Sequence, residues 1–340
     1  MKVKRYSNIE LLRIILMIMI ISLHYMNGGM GGALKESTGV NYYMVRFVES
    51  LFIMAVNGFI IITGYCSINK QMININKIVK LFLELIIYNV IIQIILVLIG
   101  QIQFTIKDFI KNFIPIWHNS YWFFKIYIVL YLLIPFINCG LNSMDKYRYR
   151  KLIIILIFTF SIWDSFVPVK IIGGNGYSIT NFILLYCIGG YLRLHYQNKK
   201  EAKVWFFRYL IFGSLTFICL FVPIIKEGSW NYYFIFNILS AVCLFNAFDK
   251  ITIESNFVNL IASSVFGVFI LHLSPYLLNL QYKIARTDLF WNSKFILIHM
   301  VMTSIAIFLL FTIIDILRKK IFSMFKFKFI NNIKMLNIEI

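Results

Sequence analysis

The chain has 340 residues, of which 60% are hydrophobic and only 14% are charged, and its mean hydropathy is +0.80. A soluble domain of ordinary composition carries about 25% charged residues, so this composition excludes a normal solvated surface and favours a lipid bilayer as the surrounding medium. The formal net charge of +19 comes from basic residues between apolar runs. There they contact anionic lipid head groups rather than nucleic acid.

Cysteine and histidine spacing predicts no metal site. The five cysteines form no CxxC motif, and the five histidines form no HExxH motif or other paired-ligand spacing. Most of the cysteines lie in or at the ends of apolar runs, where buried free thiols are usual. We therefore expect neither a bound metal nor a disulfide framework.

Windows of about 20 apolar residues mark the candidate transmembrane helices. In chain order they cover residues 9–27, 46–66, 78–99, 121–138, 151–167, 179–195, 204–225, 232–248, 258–281 and 295–317. The predicted fold class is an all-α integral membrane protein with about ten transmembrane helices. We expect one transmembrane domain over residues 1–320, followed by a basic cytoplasmic tail over residues 321–340.

The distribution of Lys and Arg between the loops predicts the orientation. Ten spans place both ends of the chain on one side of the membrane. If that side is the cytoplasm, the cytoplasmic segments hold 22 basic residues and the outer segments hold 10, which is the bias that the positive-inside rule describes. We therefore predict a multi-pass membrane protein with an N-in, C-in orientation.

The first span also has features of a cleaved secretory signal. It has a basic start and an apolar centre, and the small residues Gly31-Gly32-Ala33 follow it. Against cleavage, Arg13 and His24 are polar residues that a discarded peptide does not need. Cleavage would leave nine spans and put the two ends on opposite sides, so we favour the retained helix.

Ionisable residues inside this first span are candidates for a functional site. Arg13 and His24 are eleven positions apart, which is three helical turns plus about 20°, so both project from one helix face. The rise between them is roughly 16 Å, which places Arg13 near the cytoplasmic head groups and His24 towards the outer half. Glu10 lies one turn before Arg13 and can pair with it. The alternative is an arginine that snorkels and a histidine that only packs.

Five segments of the chain, in order and spacing, are similar to motifs that occur together in one known protein family. The Arg13-x10-His24 pair is similar to the family's signature in its first helix, and Glu10 stands where the family usually has an acidic residue. The run Asn57 to Tyr65 is similar to an apolar run ending in Ser-Gly-Tyr, with Thr63 in place of the serine. The other matches are Trp122-Phe123 with Tyr131-x-x-x-Pro135, the segment Phe266 to His272 ending in Leu-His, and the weaker pattern Gly189-Gly190-Tyr191-Leu192-Arg193.

In these five segments the chain resembles the membrane acyltransferase family 3. This resemblance implies an O-acetyltransferase of the cell membrane, expected to be a bacterial plasma membrane, that uses cytoplasmic acyl-CoA, with acetyl-CoA as the expected donor. The acceptor would be a hydroxyl of an extracytoplasmic or lipid-linked glycan of the capsule, exopolysaccharide or cell wall. It implies that Arg13, Lys77 and Lys80 contact the donor's phosphates. Lys77-Ile78-Val79-Lys80 replaces a basic-x-x-Arg element of the family, so the charge is kept but the planar forks are not. His24 would act as a general base or form an acyl-histidine, with Glu10 and Arg13 in the catalytic group.

Four further residues are weaker candidates for substrate binding. Asn57 and Glu84 can face a polar cavity, or can simply join helices by hydrogen bonds. Trp122 can stack on a sugar ring, or can belong to an interfacial tryptophan belt. His272 lies in the outer half of its span. An alternative function is a polysaccharide-export transporter or flippase-like protein without acyl-transfer chemistry, and a polysaccharide polymerase is a third possibility.

Overall fold

The computed structural model describes residues 6–27, 31–114, 117, 119–171 and 174–324, together with the backbone of 337–339. Its regular elements are almost all helical, which confirms the predicted all-α class. The α-helices are α1 (Ser7–Met26), α2 (Ala33–Glu36), α3 (Gly39–Phe52), α4 (Ala55–Ser67), α5 (Ile75–Leu98), α6 (Ile106–Phe113), α7 (Trp122–Asn142), α8 (Lys146–Ile157), α9 (Trp163–Phe166), α10 (Ile179–Leu194), α11 (Ala202–Cys219), α12 (Ile235–Asp249), α13 (Asn256–Ala262), α14 (Val265–His272), α15 (Leu278–Ala285) and α16 (Ile296–Met324). A π-helical segment, Phe158–Ile162, joins α8 to α9.

Within the described residues, six helical segments are long and apolar enough to cross a membrane. They are Ser7–Met26, Gly39–Ser67, Ile75–Leu98, Trp122–Asn142, Ala202–Cys219 and Ile296–Met324. Three shorter apolar helices are Ile179–Leu194, Ile235–Asp249 and Asn256–His272. The remaining predicted window, 151–167, falls on α8, the π-helical segment and α9. The chain is a multi-pass membrane protein, and each of its predicted windows coincides with helical structure.

Two of these helical segments are interrupted where they border the interior. The segment Gly39–Ser67 is interrupted at Ile53–Met54, between α3 and α4. The segment Asn256–His272 is interrupted at Ser263–Ser264, between α13 and α14. Irregular backbone at membrane depth is tolerated where it lines a cavity, and Ile53 and Ser263 both line the cavity described below. Lys319 Nζ donates to the Ser263 carbonyl oxygen at 2.7 Å, which satisfies an acceptor beside the second break.

The helix α1 lies in the middle of the bundle. It contacts α3, α4, α12, α13, α14 and α16. Ser22 Oγ donates to Ser304 Oγ of α16 at 2.9 Å in the buried interior. Near the other end of α1, Asn8 Nδ2 donates to the carbonyl oxygen of Phe248 in α12 at 3.0 Å. The first span is therefore a central packing element that fixes the position of its ionisable residues from several sides.

Facing glycines let α4 and α10 pack closely. A Cβ atom added to Gly64 would overlap the carbonyl oxygen of Tyr186, and one added to Gly189 would overlap the carbonyl oxygen of Ile61. Small residues allow membrane helices to approach backbone to backbone. The glycines of Thr63-Gly64-Tyr65 and Gly189-Gly190 are therefore helix-packing residues in this fold.

The predicted cytoplasmic tail is described only in part. The helix α16 continues to Met324, past the predicted boundary at 320. Residues 325–336 lie outside the described part of the chain, as do Lys2, Lys4, Arg5 and His118. The backbone of Asn337–Glu339 forms β2, which pairs antiparallel with β1, Met72–Asn74. This pairing places residues 337–339 beside the connection between α4 and α5.

Candidate active site

A cavity of about 970 Å³ runs along one face of α1. Arg13 and His24 both line it, together with Glu10 and Asn27 from the same helix. Its other walls come from helices α3, α4, α5, α7, α10, α13 and α14, from the connection between α4 and α5, and from the loops that precede α10 and α12. This volume lies at the upper end of the range for small-molecule and cofactor sites. The helical period of α1 thus directs the ionisable groups of the first span towards one cavity.

The end of the cavity beside the first half of α1 is cationic. Arg13, Lys70, Lys77 and Arg193 line it. Partial burial and the nearby Lys77 ammonium hold the pKa of Lys70 below its ordinary value. Arg193 is held over the rings of Tyr6 and Tyr65, with its guanidinium carbon 5.6 and 5.0 Å from their centroids. Several positive charges collected at one mouth make a site for a polyanion.

Arg13 keeps hydrogen-bonding capacity in this cationic end. Its Nε is buried and has no hydrogen-bond partner among the described residues. No ion pair joins Arg13 to Glu10 in that part of the chain, so the pairing that their spacing permits is not formed. A guanidinium without a carboxylate partner is available for a bound anion, which it can contact through two parallel hydrogen bonds.

His24 borders the cavity towards the opposite end of α1. The side chain of Asn27, one turn further along the chain, is a polar neighbour of its ring. On another side it packs against the ring of His272, with centroids 5.5 Å apart and planes tilted by 53°. These two contacts fix the orientation of the imidazole. An imidazole that borders a cavity and is held by a partner has the arrangement expected of a general base or a nucleophile.

His272 lies behind His24 and does not line the cavity. It is buried, and its Nδ1 lies 2.8 Å from the carbonyl oxygen of Val268. Because a carbonyl oxygen can only accept, Nδ1 carries the proton, and Nε2 is left as the acceptor. Nε2 is buried without a hydrogen-bond partner among the described residues. The predicted substrate contact of His272 is therefore replaced by a supporting position against His24.

The cavity end near His24 is aromatic. Trp122 lines it, together with Tyr177, Trp230 and Tyr232. A chain of ring contacts links this end to the histidines. Phe123 packs against Phe269 at 5.8 Å, and Phe269 packs against His272 at 6.2 Å.

Besides His272, three of the residues chosen from the sequence lie outside the cavity. Asn57 is fully buried, and its Nδ2 donates to the Tyr232 carbonyl oxygen at 2.8 Å. Lys80 is exposed one turn beyond Lys77, on a different part of the surface of α5. Glu84 accepts from Arg318 Nη2 at 2.7 Å. Asn57 and Glu84 thus join structural elements by hydrogen bonds and do not face the cavity.

The ion cluster around Glu84 holds α5, α14 and α16 together. Asp315 is fully buried; it accepts from Tyr88 at 2.7 Å and from Arg318 Nη2 at 2.8 Å. Lys319 completes the cluster, with its Nζ 2.6 Å from Asp315 Oδ2. Gly267 of α14 packs directly on the Asp315 carboxyl group, so this cluster sets the position of the helix that carries His272.

Six residues that line the cavity were not predicted from the sequence, namely Asn27, Lys70, Glu49, Tyr177, Trp230 and Tyr232. For two of them a signal was present. Asn27 follows His24 by one helical turn, and Glu49 is a carboxyl group inside a predicted span, the same criterion that selected Glu84. The aromatic residues lie in loops without periodicity, and only the fold brings them to the cavity.

Fold and site together define a multi-pass membrane enzyme whose polar groups surround one interior cavity. The family model described as "Acyltransferase domain" matches residues 6–318, which is nearly the whole chain. The chain belongs to this family, and it is a membrane acyltransferase. The alternative function, a transporter without acyl-transfer chemistry, does not explain why the chain belongs to an acyltransferase family. A search of curated proteins and a search of solved structures each gave no match.

Proposed function

We propose that the chain is an O-acetyltransferase that moves an acetyl group from cytoplasmic acetyl-CoA to a glycan hydroxyl on the outer side of the cell membrane. The observation that carries this proposal is the polarity of one cavity along α1. Arg13 and three further cations line one end, and His24 and an aromatic wall line the other. A donor with several phosphates and an acceptor with an uncharged ring need opposite surroundings, and this cavity offers both.

The cationic end suits the phosphates of the donor. Arg13 supplies a planar fork with an unoccupied Nε, and Lys70 and Lys77 add point charges beside it. The rise of roughly 16 Å between Arg13 and His24 requires a donor with an extended arm between its phosphates and its reactive carbon. Acyl-CoA has that construction. Lys80, which lies outside the cavity, has no direct part in this arrangement.

His24 is the residue placed to handle the proton of the transfer. As a general base it accepts the proton of the attacking hydroxyl while the oxygen bonds to the thioester carbonyl carbon. The carbon–sulfur bond then breaks, and the imidazolium returns the proton to the departing thiolate. As a nucleophile, it would first form an acetyl-imidazole and release the thiol, and the hydroxyl would then attack that intermediate. Asn27 holds the ring in either case.

The proposed topology has ten transmembrane helices with both ends in the cytoplasm. The excess of basic residues in the loops on that side supports it. So does the cavity, because the cationic end adjoins the start of α1 and the start of α5. The aromatic end adjoins the loops before α7, α10 and α12, which this topology assigns to the outside.

The direct test uses the full chain in sealed vesicles and labelled acetyl-CoA supplied on the cytoplasmic face. The acceptor is polysaccharide extracted from the cells that produce the protein, added on the opposite face. We expect alkali-labile label in the polysaccharide, as an O-acetyl ester requires, and none with the His24→Asn variant. No label with the wild-type protein at normal membrane insertion would refute the proposal, whereas equal labelling with both proteins would remove His24 from it.

A further inference from the structure

A buried carboxyl group faces the cavity without a partner. Glu49 of α3 is 4% exposed and lines the cavity. Its Oε2 is buried, and no hydrogen bond satisfies it among the described residues. Burial of a carboxyl group without a hydrogen bond is energetically unfavourable. A group left in this state on a cavity wall is best explained by a ligand that supplies the missing hydrogen bond.

The nearest cation in the sequence is engaged elsewhere. Arg46 lies one turn before Glu49, but its guanidinium stacks on the ring of Tyr42 at 3.4 Å. Its Nη2 donates to the Leu34 carbonyl oxygen at 2.9 Å. The four cations that line the described cavity, Arg13, Lys70, Lys77 and Arg193, are at its other end. Glu49 is therefore the carboxyl group that lines the aromatic end, which it shares with the imidazole of His24.

Aromatic side chains from separate segments form a wall around Glu49. Trp122 meets Tyr177 edge to face at 4.3 Å and lies nearly parallel to Tyr232 at 5.7 Å. Tyr177 meets Tyr232 edge to face at 5.1 Å. Trp230 Nε1 donates to the hydroxyl of Ser50 at 2.9 Å, which fixes its indole beside the residue that follows Glu49.

The loops that carry this wall are fixed before any ligand arrives. Tyr232 N donates to the Asn175 carbonyl oxygen at 3.0 Å, and Asn57 donates to the Tyr232 carbonyl oxygen. Gly176 has a φ of +84°, and a Cβ atom there would lie 2.8 Å from Tyr233 N. The two loops therefore meet backbone to backbone. A wall held in this way loses little conformational freedom on binding.

We infer that Glu49 and the aromatic wall of Trp122, Tyr177, Trp230 and Tyr232 form a subsite for one neutral sugar ring. The apolar face of a pyranose packs on aromatic rings, while its hydroxyl groups need hydrogen-bonding partners at the edge. Glu49 supplies that partner, and Asn175 and Asn231 line the same end. This inference rests on the proposed function, and it assigns the acceptor's place to the end of the cavity that His24 borders.

Binding can be tested without catalysis by saturation-transfer difference NMR on the full chain in lipid nanodiscs. The probes are the methyl glycosides of glucose, glucosamine and glucuronic acid, and protein-free nanodiscs give the background. We expect saturation of the ring protons of methyl glucoside by the wild-type protein. The signal should fall at least fivefold in Glu49→Gln and in Tyr177→Ala.

Matched controls separate this loss from general damage. Glu227→Gln changes an exposed carboxyl group in the loop before α12 that does not line the cavity, and it should leave the signal unchanged. Tyr177 is 47% exposed, so its alanine variant should fold even if the buried Glu49→Gln variant does not. No saturation in the wild type, or an undiminished signal in Tyr177→Ala, would overturn the subsite.

The three probes also decide the ligand class. A stronger signal from the glucosamine or glucuronic acid glycoside than from methyl glucoside would overturn the assignment to a neutral ring. Failure of this inference is distinguishable from failure of the proposed function. If vesicles acetylate the polysaccharide while no glycoside binds, the subsite is wrong and the acetyltransferase stands. If the glycoside binds while no label is transferred, the acetyltransferase proposal is wrong and the subsite stands.

Discussion

His24 and His272 lie ring beside ring, 5.5 Å apart between centroids, although 248 positions separate them in the chain. His24 borders the cavity, whereas His272 is 1% exposed and is bonded to the backbone of its own helix. The pair joins α1 to α14 at the depth where the proposed chemistry takes place. Its two members should therefore respond differently to substitution.

His24 should be indispensable for acetyl transfer. His24→Asn and His24→Gln keep hydrogen-bonding capacity and similar bulk, but an amide has no useful proton affinity near pH 7. Loss of general-base help lowers a rate by a factor of about 10² to 10⁴. We expect both variants to insert normally, bind acetyl-CoA and fail to acetylate the glycan. The wild-type rate should fall in acid, as His24 becomes protonated. Near-normal transfer by His24→Asn would end the catalytic interpretation of this residue.

His272 should act through its neighbour rather than on substrate. His272→Asn removes the ring that supports His24 and leaves the cavity lining intact, so we expect about a tenfold lower kcat, equivalent to about 1.4 kcal/mol. The KM for acetyl-CoA should stay within about twofold. Steady-state kinetics with both substrates varied would measure this split. A large rise in the KM for either substrate, with kcat unchanged, would mean that His272 contacts a substrate directly.

Substitution of Arg13 should weaken binding of the donor, whereas substitution of Lys80 should not. Arg13→Lys keeps the charge but loses the planar fork, so we expect the KM for acetyl-CoA to rise at least about tenfold, or by about 1.4 kcal/mol of binding. Lys77→Gln should weaken donor binding through lost charge, with a reduced salt dependence. Lys80→Gln is the matched control, because Lys80 is exposed and lies outside the cavity lining. If Arg13→Lys had wild-type kinetics, Arg13 would be an arginine that only snorkels to the head groups.

The packing of α4 on α10 gives a stability prediction. Gly64→Ala and Gly189→Ala each place a methyl group against the backbone of the other helix. The helices must then separate, at a cost of about 1–3 kcal/mol. We expect a lower Tm in detergent and reduced expression. Gly140→Ala in α7 is the control, since nothing lies within 4 Å of its Cβ position, and it should be neutral or slightly stabilising. Equal Tm values for Gly64→Ala and Gly140→Ala would contradict the close packing.

Topology can be tested by labelling single cysteines on a cysteine-free background. The loops at 140–150 and 197–204 are predicted to be cytoplasmic, and the loop at 100–120 is predicted to be extracytoplasmic. Lys146 and Lys107 are both exposed. A membrane-impermeant reagent applied to intact cells should therefore label Lys107→Cys and spare Lys146→Cys. The opposite pattern would invert the orientation and place the cationic end of the cavity outside.

The sequence alone determined what depends on local periodicity. The apolar windows predicted where the helices lie, because the bilayer demands a run of apolar residues wherever a helix crosses it. The eleven-residue interval between Arg13 and His24 predicted that they share a helix face, because 3.6 residues per turn fixes that angle. Neither inference needed knowledge of any other helix.

Only the tertiary structure decided which ionisable groups meet. Glu84 and Glu49 give the same signal, a carboxyl group in an apolar span, yet Glu84 pairs with Arg318 and Glu49 faces the cavity. The sequence does not separate the two cases, because periodicity defines faces of a helix but not the neighbour that each face meets. Tyr177 and Tyr232 come together from loops whose approach depends on Gly176 and on hydrogen bonds between distant segments. Contacts of that kind come from packing over the whole bundle.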